Sequence, residues 1–66
     1  MKYAVAIKKL RKKLLLTQSE FAELLGVKLV TVSRWESGKF EPTMRVKRKL
    51  RELFEKNNIE IEVEEY

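Results

Sequence analysis

The chain has 66 residues, with fifteen Lys and Arg, ten acids, no His and no Cys, for a net charge of +5. A chain of that length makes one domain and buries only about 60% of the surface its unfolded form exposes, so a cleft between two lobes is not expected. Without Cys or His there is no disulfide, no thiolate or imidazole metal site and no histidine base, which leaves a hydrolase or metalloenzyme poorly supplied and no cofactor expected. Apolar runs such as Leu14-Leu15-Leu16 are far too short to span a bilayer, so a soluble cytoplasmic domain with no membrane partner is expected. The charge is unevenly placed. Residues 1–56 carry a net +9, and residues 57–66 carry four Glu and no base, a net −4. A basic body with an acidic end suits binding to a phosphate backbone; a Lys-rich solvated surface would look the same.

In chain order, Tyr3, Ile7, Leu10 and Leu14 recur at spacings of four, three and four. That places one apolar stripe on a first helix, with Lys8, Lys9, Lys12 and Lys13 turned outward. Thr17 and Glu20 form a capping box for a second helix over roughly Gln18 to Leu25, with Leu16 and Phe21 as its hydrophobic staple. Phe21, Leu24 and Leu25 are expected to face the core, and Gly26 to supply a left-handed stop. Only Gly26 and Val27 precede the next periodic stretch, Lys28 to Ser37, which Gly38 closes. Two short helices meeting at a tight glycine turn form a helix-turn-helix. After a loop from Lys39 to Pro42, a fourth helix carries Val46, Leu50, Leu53 and Phe54 on its apolar side, with Arg45, Lys47, Arg48, Lys49 and Arg51 solvated. Asn57-Asn58 ends it.

From Ile59 onward the chain alternates apolar and acidic residues with period two. That predicts a short β-strand with Ile59, Ile61 and Val63 on one face. A lone strand leaves its backbone unpaired, so this one would pair with its copy in a homodimer or with residues 1–6; a terminal helix or a frayed tail are the alternatives.

The third helix holds the residues of most chemical interest. On a wheel of about 100° per residue, Val32 and Trp35 share the core side with Lys28. Val30 and Arg34 lie opposite, flanked by Ser33 and, nearer the edge, Leu29. Leu and Val exposed on a surface helix contribute nothing to the core. In a major groove the same set has a use: Arg34 can donate two hydrogen bonds to guanine O6 and N7, and the aliphatics can pack on thymine methyls. A protein interface, or a loop covering Leu29 and Val30, would also account for them.

The residues Leu10-Arg11, Leu16-Thr17-Gln18, Phe21-Ala22, Leu24, Gly26-Val27, Thr31-Val32-Ser33-Arg34-Trp35-Glu36, Gly38 and Pro42 resemble the phage-repressor/Cro helix-turn-helix family, including antitoxins built on this fold. The resemblance covers roughly Tyr3 to Phe54. It implies an all-α, four-helix, lambda-repressor-like domain. Residues 1–57 would form the helix-turn-helix DNA-binding domain and residues 58–66 an acidic C-terminal strand or tail. Ala22 then stands where two helices approach closely, Gly26 makes the turn, and Val32 and Trp35 lock the recognition helix in place. Val30 and Arg34 fall on the central base-reading positions, with Leu29, Thr31 and Ser33 beside them. Gln18 falls where relatives contact backbone or an outer base and brace the recognition helix. Arg11 and Glu36 match a partly buried salt bridge, and Lys28, Lys39, Arg45 and Lys47 fall where phosphates are gripped.

Three departures stand out. Leu15 replaces a glycine that often ends the first helix, so the connection is expected to turn differently. Lys28 stands where relatives cap the recognition helix; it cannot cap, and its charge opposes the helix dipole unless a phosphate lies beside it. Val30 replaces a polar reader. The resemblance implies a non-enzymatic transcription regulator, a repressor acting as a homodimer on double-stranded DNA. The alternative is an interaction module or antitoxin that holds a toxin, a polymerase subunit or other regulatory protein through exposed apolar residues.

Overall fold

The apolar stripes become helices whose stripes meet. The structure, a computed structural model, describes residues 2–60. Among them are four helices: α1 Lys2–Lys13, α2 Gln18–Leu25, α3 Leu29–Glu36 and α4 Met44–Lys56. Helices α2 and α3 pack on each other most extensively, and α1 packs against α3 and α4. Ile7 and Leu10 of α1, Phe21 of α2, Val32 of α3 and Leu50 of α4 are wholly buried, and Trp35 and Phe54 nearly so. Each such side chain contributes about 1.5–3 kcal/mol by leaving water. Tyr3, Leu14, Leu16, Val46 and Leu53 pack around this centre.

The start of α2 follows its sequence signature. The Thr17 hydroxyl accepts from the Glu20 amide at 3.1 Å, and the Glu20 carboxylate accepts from the Thr17 amide at 2.8 Å. The start of α3 has no such help, since the Lys28 side chain makes no capping hydrogen bond.

All four helices end alike. In each, a residue in the left-handed region lets the next amide donate back across the last turn to the carbonyl five residues before it. The donor and acceptor are Leu16 and Arg11 after α1, Val27 and Ala22 after α2, Lys39 and Arg34 after α3, and Ile59 and Phe54 after α4. The left-handed residues are Leu15, Gly26, Gly38 and Asn58. Glycine and asparagine adopt this conformation readily; leucine does not. Nothing lies near an added Cβ at Gly26 or Gly38, so their φ values of 71° and 81°, not crowding, call for glycine.

Leu15 corrects an expectation. The α1–α2 connection turns as a glycine would make it turn, at φ 59°, with the leucine side chain 89% exposed. That conformation costs a residue with a Cβ about 1–2 kcal/mol, and an exposed side chain returns little. Leu15→Gly is therefore expected to stabilise the fold by about 0.5–1 kcal/mol after the extra freedom of glycine in the unfolded chain is deducted. Thermal unfolding followed by circular dichroism should show the midpoint rise by a few degrees, roughly 2–8 °C. A midpoint that falls would mean the side chain has a partner worth more than the strain.

Other corrections follow from packing. Leu24, expected in the core, is 54% exposed. The face of α2 that is buried is Phe21, Ala22 and Leu25, set by packing against the rest of the bundle and against α3 most of all, and Leu24 turns outward. Helix α3 runs from Leu29 to Glu36, one residue shorter at each end than expected, because Lys28 and Ser37 are its caps. The strand expected from residue 58 is not found at Ile59 or Glu60. Ile59 instead packs against the chain's own core behind the left-handed Asn58. Ile61 and Val63 lie outside the described residues. A Lys13 ammonium donates to the Asn57 carbonyl, tying the end of α1 to the negative end of α4.

Candidate nucleic-acid interface

Helix α3 divides as its periodicity demands. Val32 and Trp35 are buried, whereas Leu29 and Val30 are about half exposed, at 49% and 50%, and Ser33 and Arg34 are exposed with them. Thr31 is half-buried at the border. Gly26 and Val27 set the angle between this helix and α2. The loop that follows α3 folds back beside it, so that Thr31, Arg34, Phe40, Thr43 and Val46 line a shared hollow. Lys28 before α3, Lys39 after it and Arg45 in the first turn of α4 are all exposed.

The recognition helix is anchored by charge as well as by packing. Arg11 Nε donates to Glu36 Oε2 at 2.7 Å, and Arg11 Nη2 donates to Glu36 Oε1 at 3.0 Å. The remaining Arg11 Nη1 donates to the Leu16 carbonyl at 3.1 Å, and Gln18 Nε2 donates to Glu36 Oε1 at 3.1 Å. The Glu36 side chain is only 4% exposed and that of Arg11 15%. One carboxylate at the end of α3 thus fastens α1 and α2 through a two-pronged guanidinium and an amide. Burial by itself would push the Glu36 carboxyl up. Hydrogen bonds from Arg11 and Gln18, with the positive charges of Arg11 and Lys8, outweigh it and hold the group below the usual carboxylate range. The same pairing raises Arg11 above its ordinary value.

The expected site residues sort into three groups. Leu29, Val30, Ser33 and Arg34 share one open side of α3. Gln18 is committed to Glu36, consistent with a bracing role, and Arg11, Ala22, Gly26, Val32, Trp35 and Glu36 build the frame beneath. Lys47, expected to be solvated, is half-buried: its ammonium lies 4.8 Å from the centre of the Tyr3 ring and 3.1 Å from Glu41 Oε1. It differs in this from the exposed Lys28, Lys39 and Arg45. Sequence reasoning missed Phe40, whose ring centre lies 5.5 Å from the Arg34 guanidinium carbon. The available signal was a lone aromatic in an otherwise polar loop, six residues after Arg34.

Two short helices held across a glycine turn, the second with an open polar-and-aliphatic face, define a helix-turn-helix domain. The chain belongs to the helix-turn-helix family of the phage-repressor/Cro type, whose pattern matches residues 7–57. That is a family of DNA-binding transcription regulators, and DNA is the partner the domain is built for. No curated protein and no solved structure matches the chain. Among the described residues, no helix is long and apolar enough to cross a membrane.

Proposed function

We propose that the chain binds a specific double-stranded DNA sequence as a homodimer and acts as a transcriptional repressor. The observation that supports this best is the open side of α3, where Leu29, Val30, Ser33 and Arg34 turn away from the core together. Arg34 pairs with guanine O6 and N7, Leu29 and Val30 pack on thymine methyls, and Ser33 bonds an adjacent base edge. Gln18 and Thr31, at the margins, meet backbone or an outer base. Lys28, Lys39 and Arg45 contact phosphates, and Lys47 joins them by exchanging Glu41 for a phosphate. Phosphate contacts provide most of the affinity and make it fall steeply with salt. Residues 1–57 act as the DNA-binding unit, with the acidic residues 58–66 kept away from the duplex. Two copies set their recognition helices about 34 Å apart in successive major grooves.

Selection of bound sequences from a random duplex pool tests this. A near-palindromic motif is expected, with half-sites about 10 base pairs apart between centres. A motif lacking two-fold symmetry would overturn the homodimer, and no enriched motif would overturn sequence-specific reading. A second reading is favoured by the exposure of Leu15 and Leu24: the domain holds a toxin or other regulatory protein through exposed apolar residues. It predicts tight capture of such a protein by a chain that enriches no motif.

A further inference from the structure

Phe40 is more than half exposed, at 56%, so it adds little to the core, and its ring faces the Arg34 guanidinium. The segment that carries it is held at both ends. On one side, Gly38 in the left-handed region lets the Lys39 amide donate to the Arg34 carbonyl at 3.2 Å. On the other, Pro42 is buried and Glu41 pairs with Lys47 at 3.1 Å. The backbone that carries the ring is therefore held relative to α3, and the ring lines one hollow with Thr31, Arg34 and Trp35.

We infer that Phe40 is a positioning residue for Arg34, holding the guanidinium at the open side of α3 and so setting how sharply one base is told from another. The inference rests on Arg34 being the base reader. A free arginine side chain has many rotamers, and those lost on binding reduce the discrimination it delivers. A ring against the guanidinium face removes much of that freedom beforehand. It also leaves the in-plane N–H groups, the ones that meet guanine, without a competitor. A carboxylate partner would occupy those same donors.

The test uses the full chain, duplexes it selects from a random pool, the same duplexes with the preferred G·C pair changed to A·T, and a random-sequence duplex. Binding is followed by fluorescence anisotropy. Phe40→Ala is expected to reduce the preference for the G·C pair about two- to fivefold, the scale of an exposed cation–π contact. Affinity for the random duplex should be unchanged. Phe40→Leu, which keeps the apolar bulk without the aromatic face, should lose the preference similarly, and Phe40→Tyr should retain it. In an Arg34→Ala background, Phe40→Ala should change nothing further. If Arg34→Ala abolishes the preference and Phe40→Ala leaves it intact, the positioning role is overturned and the reader role stands. If Arg34→Ala itself keeps the preference, the reader is wrong and this inference falls with it. Equal weakening on all three duplexes by Phe40→Ala would make the ring a direct DNA contact, which also overturns it.

Discussion

Arg11→Ala is expected to destabilise the domain by about 3 kcal/mol, the low end for a buried ion pair broken on one side, because Arg11 retains some contact with water. The loss comes less from the attraction removed than from what remains: a Glu36 carboxylate 4% exposed, with Gln18 as its one remaining side-chain donor among the described contacts. A domain of this size is stable by only about 3–10 kcal/mol in total. The midpoint should therefore fall by on the order of 15 °C, which calorimetry or circular dichroism will read directly. Arg11→Met combined with Glu36→Met should recover most of the loss, since no charge is then stranded. A single-variant cost below about 1 kcal/mol would mean that water screens the pair.

The same pair gives stability a pH dependence whose sign is expected to reverse in the variant. In the native chain the folded Glu36 carboxyl titrates below its unfolded value of about 4.3. Its contribution is complete above that pH and is lost as pH falls through the lower, folded value. Without Arg11, burial is the largest remaining influence and is expected to push the carboxyl up against Gln18 and Lys8, so that protonation then favours the folded state. The deficit of Arg11→Ala against the native chain should shrink on acidification through this range. A constant deficit would mean that Glu36 is not the group responsible.

Arg34→Ala should act on recognition and leave stability alone. Its side chain is exposed and sits outside the core cluster, so stability should change by less than about 1 kcal/mol, the scale of its exposed contact with the Phe40 ring. On DNA, losing a two-pronged contact to guanine should cost about 1–3 kcal/mol at one base pair, roughly 5- to 150-fold in preference. Binding to random duplex should persist, with its salt dependence reduced by no more than about one phosphate equivalent. Competition binding against a panel of duplexes varied one pair at a time separates these terms. Uniform weakening across the panel would recast Arg34 as a phosphate contact.

What could be read from residues alone was whatever depends on neighbours in sequence. The capping box at Thr17 and Glu20 and the left-handed stop at Gly26 need only a few adjacent positions, and both are found as expected. The open side of α3 was legible because eight residues at helical spacing leave little choice once Trp35 and Val32 are buried. Tertiary contacts were harder. Leu24 has the spacing of a core residue, but the axis of the buried face depends on where α3 lies against α2. Lys47 looked like its neighbours in α4 until α1 brought Tyr3 alongside. Residue type at Leu15 predicts a different turn, whereas the hydrogen bonds closing α1 set its backbone. The Arg11–Glu36 pairing lies 25 residues apart in sequence and was reached through family resemblance, not through spacing.

The carboxylate that joins α1, α2 and α3 sits two residues from Arg34 and one from Trp35. The open side of α3 therefore has no hinge of its own: α3 cannot loosen without releasing the clasp that fastens it to α1 and α2. The shape of that open side and the cooperativity of melting become a single property of the chain. Heat or acid that opens the clasp would dismantle the open face of α3 together with the rest of the fold as an all-or-none event, in place of a gradual loosening.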